Sequence, residues 1–511
     1  MQKNTAATLP RLVIVGGGSA GWMAAAMLAK QLGNQLQIQV IESETIGTVG
    51  VGEATIPPIL LFNQVLGISE AEFIRATQGT IKLGIQFEHW GQQGDRYLHA
   101  FGMAGKDLGL TSFHHFYMRA KALAAQGALA DPGDFADYLL SAQAAAQQKC
   151  QTSALPSGLP WSQLSYAYHF DAALYAKLLQ QYAQARGVTH VSGTIAQVTR
   201  HRNGDIDSLQ LADGRQVAGD FFIDCSGFRG LLIEQSLHAG YDDWSHWLPC
   251  DRALAVPCAL DAPPRPYTRA IAHQAGWQWQ IPLQHRIGNG LVYCSQYLSD
   301  EAAATQLLAA LPGEALATPR PIQFKTGRRR QQWSHNCVAL GLASGFLEPL
   351  ESTSLHLVQS GIIRLAKLWP SDVRDSASMA WLRSQYNRQS EQEFCQIRDF
   401  IILHYHQTAR QDSAFWRHCQ QMAIPDSLAH KIALFREHGV VQREQDDLFS
   451  EIAWQQVLMG QGVMPKRYHA LTEQLSVAQL GQFMADLRQL TRHTVQQMPS
   501  HAQWLVRFAT A

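Results

Sequence analysis

The sequence has no excess of charge of one sign and no long apolar run. Lysine plus arginine and aspartate plus glutamate number 41 each in 511 residues. Without long basic or acidic runs, the chain gives no reason to expect nucleic acid or an anionic membrane as a partner. The early apolar run at residues 12–15 is far too short to span a bilayer, and no later window is long enough.

Paired cysteines and a secretion signal are also lacking. The eight cysteines are scattered and form no CxxC motif, so we interpret them as reduced thiols that lie mostly in the core. The first 21 residues contain no apolar signal segment followed by a small-residue cleavage site. Together these absences predict a cytoplasmic protein.

Metal-binding motifs are absent as well. The 21 histidines include His404 and His406, two positions apart, and the neighbours His114 and His115, but no HExxH motif and no cysteine–histidine cluster. A histidine pair without further ligands is more typical of packing or of a surface. We therefore expect no metal.

Apolar and aromatic side chains are abundant. Apolar residues make up 46% of the chain, and 13 residues are tryptophan. A chain of this length can form two or three packed units, or one large enzyme fold with insertions. Tryptophans pack cores, but they can also line a site for a flat substrate.

The N-terminal segment has the pattern of a strand–helix–strand unit. Residues 11–15 read as a short buried strand, and residues 22–32 as a helix. A second strand follows at residues 37–41 and ends in Glu42. This order is typical of the opening of a nucleotide-binding fold.

A GxGxxG motif formed by Gly16, Gly18 and Gly21 stands between the first strand and the helix. The first glycine permits the tight turn, the second lets the backbone approach a pyrophosphate, and the third lets helix and strand pack closely. The helix N-terminus then offers free N–H groups to the phosphates. Glu42, about 20 residues further on, is the expected ribose-binding carboxylate.

The glycine motif does not distinguish FAD from NAD. Residues 220–230, where a strand ends in Asp224 before a small-residue turn, resemble the second nucleotide-side segment of FAD oxidoreductases. Asp224 is therefore a candidate cofactor-binding residue. Alternatively, its side chain caps the turn.

Further elements follow from periodicity. Residues 81–87 alternate as one strand, with Ile81, Leu83 and two later apolar residues on one face and Lys82 on the other. Residues 337–342 read as another buried strand.

These patterns predict an α/β fold in two regions. An FAD-binding, Rossmann-like catalytic region with mixed β-sheets occupies residues 1–380; it is discontinuous and carries a helical insertion at about 110–160. A mainly helical region over residues 381–511 covers the substrate.

Residues 276–282 contain the motif WxWxIP, made of Trp277, Trp279, Ile281 and Pro282. In a strand, the two tryptophans and Ile281 share one face. On physical grounds alone, a strand with two large core aromatics explains this pattern.

The whole set of motifs resembles the flavin-dependent halogenases, often called tryptophan halogenases. That family combines WxWxIP with an N-terminal GxGxxG, and the resemblance runs from about residue 10 to 470. Further matching segments are GVGEATIP (50–57), GTIKLGIQFEHW (79–90), YAYHFD (166–171), DCSGFRG (224–230) and FLEPLESTS (346–354).

The resemblance implies a cofactor, a partner and an oxidant. Reduced FAD reacts with dioxygen and halide, chloride or bromide, to give hypohalous acid, and a separate NAD(P)H-dependent flavin reductase supplies the reduced flavin. The expected cofactor-binding residues are Gly16, Gly18, Ser19, Ala20, Gly21, Glu42, Ala54 and Asp224.

The resemblance also implies catalytic residues. Lys82 holds or transfers the halogen, and Glu351 orients the oxidant or accepts the ring proton. The backbone N–H groups of Thr353 and Ser354 hold the halide, although the best-known tryptophan enzymes have glycine where Ser354 stands. A nearby carboxylate would keep Lys82 charged, whereas desolvation would favour the neutral amine.

The substrate is expected to be a small aromatic. His99, Phe101 and Trp454 resemble the walls that grip an indole ring in the family, although ordinary packing also explains such residues. Residues 441–470 lack the tyrosine pair with which tryptophan-specific members bind the amino acid. Indole, or another electron-rich aromatic without a zwitterion, is therefore favoured over free tryptophan.

Two other interpretations are open. A flavin aromatic hydroxylase shares the nucleotide fold, but it usually carries a GD motif late in the chain, and residues 341–345 here contain no aspartate. A non-catalytic flavin-binding protein would be expected to lose Lys82 or Glu351, and both are present.

Overall fold

A computed structural model describes residues 9–43, 52–375, 377–444 and 446–509. Its strands are β1 (Arg11–Val15), β2 (Gln37–Glu42), β3 (Glu53–Ala54), β4 (Thr80–Lys82), β5 (Gly84–Glu88), β6 (Arg96–Ala100), β7 (Ala167–Phe170), β8 (Thr189–Ser192), β9 (Ile195–Arg200), β10 (Ile206–Leu211), β11 (Gln216–Ala218), β12 (Phe221–Asp224), β13 (Tyr241–Asp243), β14 (Arg252–Cys258), β15 (Thr268–Ala272), β16 (Gly276–Pro282), β17 (Ile287–Tyr293), β18 (Arg320–Gln323), β19 (Gly327–Arg329), β20 (Trp333–Ser334), β21 (Cys337–Ala339) and β22 (Gly345–Phe346).

The helices are α1 (Ser19–Leu32), α2 (Pro58–Leu66), α3 (Glu70–Thr77), α4 (Phe113–Ala125), α5 (Leu140–Ala146), α6 (Ala172–Gln184), α7 (Asp300–Ala309), α8 (Ser354–Lys367), α9 (Met379–His406), α10 (Ala414–Gln421), α11 (Asp426–His438), α12 (Glu451–Gly460), α13 (Val477–Gln496) and α14 (His501–Ala509). The predicted α/β class with mixed sheets is confirmed. The division into two regions stays a prediction. Residues 44–51, which include the start of the GVGEATIP segment, lie outside the described residues.

The first sheet has the strand order β20-β21-β12-β1-β2-β8. β1 pairs in parallel with both β2 and β12, and four of its five residues are buried. Helix α1 packs against this sheet and against α6 and α8, and its alanines let these layers approach closely. The N-terminal strand–helix–strand unit therefore lies at the centre of the hydrophobic core around this sheet.

The second large sheet has the order β18-β14-β17-β16-β15-β5-β6. β16 carries the WxWxIP motif between two antiparallel neighbours, and all seven of its residues are buried. β6 forms one edge, where the side-chain amide of Gln456 in α12 bonds both the N–H and the carbonyl of Ala100. This amide takes the place of a further strand.

The predicted single strand at 81–87 is wrong in one respect, because it breaks at Leu83. β4 pairs with β7 in a small three-stranded sheet, whereas β5 belongs to the seven-stranded sheet. Between them, the Leu83 N–H bonds the Pro266 carbonyl, and the Leu83 carbonyl accepts from the Phe101 N–H. These two bonds, both to residues distant in sequence, turn the chain from one sheet into the other.

The strand expected over 337–342 is likewise shorter than predicted. β21 ends at Ala339, and residues 341–343 form a 3₁₀ turn that starts at Gly341, whose φ is +63°. A φ in this left-handed region cannot continue a strand, so the chain turns towards the segment 346–354.

From Met379 onward the described residues form helices and loops without strands. The long helix α9 buries Ile397 and the run from Phe400 to Tyr405 against the seven-stranded sheet and its flanking helices. None of the described helices combines the length and the apolar character that a membrane crossing requires.

Candidate functional site

A cavity of about 530 Å³ connects the glycine turn after β1 with the motif strand β16. Its walls include Gly16, Ser19 and Glu42 on one side and Trp277 and Trp279 on another. The volume is in the range of small-molecule and cofactor sites. The sequence motifs at 16–21 and 276–282 therefore face one shared space.

The glycine turn suits close contact with a ligand. Gly16, Gly18, Ser19 and Ala20 line the cavity, where the N-terminus of α1 presents N–H groups that have no intrahelical partner. A Cβ at Gly17 would lie 2.1 Å from the side-chain carboxyl carbon of Glu42. The absence of a side chain there brings the Glu42 carboxylate to the edge of the cavity.

Two predicted cofactor residues lie outside the cavity, one under the glycine turn and one at the start of the turn after β12. Gly21 packs under the glycine turn, since a Cβ would lie 1.8 Å from the Gly16 carbonyl oxygen. Asp224 is fully buried, and its carboxylate accepts hydrogen bonds from the N–H groups of Ser226, Leu232 and Ile233. These contacts match the alternative in which the Asp224 side chain caps the turn.

Glu53 and Ala54, which form β3, also line the cavity. Burial raises the pKa of the Glu53 carboxyl to about 7. This side chain is therefore close to half ionised at neutral pH, inside a cavity that the glycine turn equips for phosphate groups.

The WxWxIP motif supplies an aromatic wall. Trp277, Trp279 and Ile281 line the cavity, as their predicted common face requires. The Pro282 carbonyl accepts a hydrogen bond from Thr80 Oγ1 at 2.7 Å, which ties the motif to the neighbouring β4. Trp277 Nε1 donates to Glu348 Oε2 at 3.0 Å.

Glu348 is completely buried behind this wall. Its Oε2 also accepts a hydrogen bond from the Tyr405 hydroxyl at 2.5 Å, and its Oε1 has no partner among the described residues. Burial raises the pKa of the Glu348 carboxyl to about 7, against the effect of the two hydrogen bonds.

Lys82 is completely buried at the end of β4. Its Nζ donates to Ser352 Oγ at 2.7 Å and lies 5.4 Å from the centre of the Phe101 ring. Burial lowers the pKa of Lys82 to about 7, although the negative charge of Glu351 raises it in part. Ser352 itself lines the large cavity, so one hydrogen bond joins the lysine to the cavity wall.

The strand that carries Lys82 is fixed by a residue from the far end of the chain. The Ile81 N–H donates to Nε2 of His501, 420 positions later, and His501 Nδ1 donates to the Pro264 carbonyl at 2.7 Å. Burial lowers the pKa of His501 to about 4, so it stays neutral and can accept the Ile81 bond.

Glu351 is buried next to Lys82 but pairs with two histidines. Nδ1 of His99 lies 2.9 Å from Oε2, and Nε2 of His404 lies 2.7 Å from Oε1. Burial alone would raise the pKa of Glu351, but the two histidines lower it to about 2. His404 Nδ1 is in turn 3.0 Å from the hydroxyl of Tyr97, which orients the imidazole.

The segment after Glu351 turns sharply into α8. Ser352 has φ +57°, in the left-handed region, and α8 begins two residues later. Ser354 lines the cavity, and Thr353 is buried beside it. Backbone N–H groups at such a helix start are suited to bind an anion.

Two of the three predicted substrate residues, His99 and Trp454, lie around a pair of phenylalanines. The His99 ring is 5.6 Å from Phe400, Trp454 is 4.8 Å from Phe400, and Phe449 stacks on Phe400 at 3.8 Å. Phe101 lies apart from this stack, beside Lys82. The sequence signals did not indicate Phe400 and Phe449.

Sequence reasoning also missed the contacts of Ser352, His404 and Tyr97. From the sequence, His404 is only part of a histidine pair that is typical of packing or of a surface. Its partner Glu351 is 53 positions away, so no local spacing could reveal the contact. Ser352 stands directly after Glu351, and its place in the motif was the available signal.

Comparisons with known proteins identify the family of the chain. The family model described as tryptophan halogenase matches residues 11–477. Xcc4156, a flavin-dependent halogenase from Xanthomonas campestris, has a similar structure with a TM-score of 0.92, at 47% identity over 98% of each chain. BrvH, a flavin-dependent halogenase from Brevundimonas sp. BAL3, has a TM-score of 0.91 at 42% identity over 98% of this chain and 99% of its own.

A curated relative is similar over most of its length. The tryptophan 6-halogenase SttH of Streptomyces toxytricini is 37% identical over 441 residues, which are 83% of each chain. The match to the family model covers the glycine turn, the motif strand and the segment 346–354. The chain therefore belongs to the tryptophan halogenase family of flavin-dependent enzymes.

Proposed function

We propose that this enzyme chlorinates or brominates an electron-rich aromatic, with indole or a simple indole derivative as substrate, through hypohalous acid that reacts at Lys82. The observation that carries the proposal is the bond from Lys82 Nζ to Ser352 Oγ, because Ser352 also lines the large cavity. Ser352 therefore connects the cavity, where we propose that the nucleotide binds, with the buried lysine.

The cavity fits FAD. Glycines stand where a Cβ would collide with neighbouring groups, a helix N-terminus faces the space, and Glu42 lies at its edge. Gly16, Gly18, Ser19 and Ala20 would hold the pyrophosphate, and Glu42 the ribose. When bound in its reduced form, the flavin supplies the electrons with which dioxygen and halide give hypohalous acid.

Lys82 would act as a neutral amine. With a pKa of about 7, a large fraction of the side chain has a free lone pair at neutral pH. Attack of Nζ on the halogen of hypohalous acid forms the N–halogen bond and releases water. The aromatic ring then takes the halogen, and the nitrogen takes one proton from the released water. The proton that the ring loses to Glu351 later restores that water.

Glu351 would accept the proton that the ring loses. Its pKa of about 2 keeps it ionised next to the lysine, and two imidazoles hold its oxygens in place. An ionised, oriented carboxylate stabilises the cationic ring intermediate before it takes the proton. The N–H groups of Thr353 and Ser354 would bind the halide.

The preference for indole over free tryptophan rests on two features. Segment 441–470 offers no tyrosine pair for an amino-acid group. The ring between His99 and Trp454 is the apolar Phe400, on which Phe449 stacks. A zwitterion placed there would lose its hydration without new hydrogen bonds. A separate NAD(P)H-dependent reductase is the proposed source of reduced flavin.

The test is mass spectrometry of reactions that contain protein, FAD, a flavin reductase, NADH, air, bromide and either indole, tryptophan or a phenol. We expect a product with the isotope pair of bromine from indole, and none from Lys82→Ala, while the exposed Lys177→Ala keeps full activity. Incorporation of oxygen in place of bromine would refute the proposal. Equal bromination by Lys82→Ala would remove the lysine from the mechanism.

A further inference from the structure

A line of oxidisable side chains leads away from the cavity. Trp279 and Trp277 have ring centres 6.1 Å apart, Trp277 and Trp90 6.4 Å, and Trp90 and Tyr405 5.4 Å. We call these four residues the aromatic chain. Trp277, Trp90 and Tyr405 have at most 1% of their surface exposed, and Trp279 has 7%.

The aromatic chain starts at the cavity in a specific way. Indole and phenol side chains give up one electron far more readily than phenylalanine or aliphatic side chains. Among the described residues that line the cavity, Trp277 and Trp279 are the only tryptophans, and no tyrosine is present. An electron that moves from protein aromatics to a group in the cavity therefore comes first from these two.

The other end has a proton acceptor in place. A phenol that loses an electron becomes strongly acidic, and it forms a stable radical only if a base takes its proton. The Tyr405 hydroxyl donates to Glu348 Oε2 at 2.5 Å, and burial raises the pKa of this phenol well above its ordinary value. Glu348 is therefore the group to which the proton can go.

We propose that the aromatic chain is an electron-transfer path, by which the protein reduces light-excited oxidised flavin by one electron and leaves a radical on Tyr405. One electron passes from Trp277 or Trp279 to the excited flavin, and electrons from Trp90 and then Tyr405 refill the vacancy. The Tyr405 proton moves to the Glu348 carboxylate. The products are one-electron-reduced flavin, a neutral tyrosyl radical and protonated Glu348.

The last step requires ionised Glu348, so the radical yield should rise with pH. This carboxylate faces the Tyr405 hydroxyl, the Trp277 indole and the thiols of Cys250, Cys294 and Cys419. Burial raises the pKa of all three thiols, which therefore stay neutral while Glu348 titrates near 7.

The experiment uses the full chain loaded with oxidised FAD, without oxygen or an added electron donor, under blue light. Transient absorption and electron paramagnetic resonance of frozen samples identify the radicals. We expect a tyrosyl signal whose yield rises between pH 6 and pH 8, the range that brackets the Glu348 pKa of about 7. Tyr405→Phe should lose the tyrosyl signal and show a tryptophan radical that decays faster.

Further variants locate the path. Trp90→Phe should lose the tyrosyl signal by interrupting the chain, and Glu348→Gln should lose both the signal and its pH dependence. Tyr293→Phe is the matched control: Tyr293 is buried and donates to Asp300 at 2.7 Å, but it is outside the aromatic chain. Flavin absorbance and thermal unfolding verify that each variant binds FAD and folds.

Two outcomes would overturn the inference: no protein radical in the unmodified protein, or unchanged radicals in both Trp90→Phe and Tyr405→Phe. The inference rests on the proposed flavin site but not on halogenation. Indole bromination in the dark is measured on the same samples. Bromination without a light-induced radical would leave the proposed function intact and contradict the electron-transfer path. A radical without bromination would support the path and contradict the proposed function.

Discussion

Glu348 and Glu351 belong to one short turn, and both are buried, yet their carboxyl groups have opposite properties. Glu351 receives bonds from two imidazoles, and its pKa falls to about 2. Glu348 receives bonds from one indole and one phenol, and its pKa rises to about 7. Burial raises the pKa of both carboxyl groups. Only at Glu351 do the partners, two imidazoles, outweigh burial and hold the carboxylate ionised.

The same difference separates the two sides of the turn. On the Glu351 side, a lysine, two histidines and a carboxylate form a polar cluster suited to polar reactions. On the Glu348 side, indoles, a phenol and thiols form an environment of low polarity suited to electron transfer. The turn at 346–354 thus places the polar cluster around Glu351 and the aromatic and thiol side chains around Glu348 only a few residues apart in sequence.

Among the tests of this contrast, the largest effect is expected from Glu351→Gln. The amide is isosteric but cannot accept the ring proton, so we expect indole bromination to fall by roughly 10²-fold or more. The matched variant is Glu348→Gln, which should reduce indole bromination in the dark far less. The rate of product formation under saturating flavin reductase measures the activity of both variants. Equal losses of activity would show that the difference between the two carboxylates does not matter for catalysis.

A second test addresses the cost of burying Lys82. Its pKa is about 7 in the folded protein and near 10.5 when unfolded, so the unfolded chain binds one more proton between these values. The contribution of Lys82 to stability should therefore rise with pH across that interval. Lys82→Met should be more stable by about 1–3 kcal/mol at pH 7, and by progressively less towards pH 10.

Denaturant unfolding at several pH values measures this difference. Lys177→Met, at an exposed position, provides the control and should change stability little at any pH. A Lys82→Met protein less stable than the original at pH 7 would mean that the bond to Ser352 outweighs the desolvation of the amine.

The smallest effect concerns Glu53. Because its pKa is raised to about 7, it becomes negatively charged as the pH rises through neutrality. Repulsion of the flavin phosphates should then weaken FAD binding by about threefold to tenfold. Glu53→Gln should bind FAD with the same affinity at pH 6 and pH 8, whereas the exposed Glu301→Gln should keep the pH dependence. Calorimetric titration with FAD distinguishes these cases.

Sequence reasoning succeeded where the determining contacts are local. The order of β1, the glycine turn, α1 and β2 depends on residues 11–42, so periodicity and glycine spacing were sufficient. The family resemblance, and with it the enzyme class, was confirmed by the match over residues 11–477. The individual roles of Lys82 and Glu351 stay predictions.

Sequence reasoning failed where distant segments determine the result. The break at Leu83 depends on Pro266 and Phe101, which no alternation pattern can reveal. The partnership of His404 with Glu351 depends on how α9 packs against the turn. The packing of Phe449 on Phe400 similarly required the three-dimensional arrangement of the helical part.

The bond between Ile81 and His501 has a consequence for biosynthesis. Until His501 has left the ribosomal exit tunnel, this N–H has no native acceptor. The strand that bears Lys82 therefore gains this contact only when nearly the whole chain is available, and contacts so distant in sequence close slowly. Nascent chains should therefore remain catalytically immature until this contact has formed.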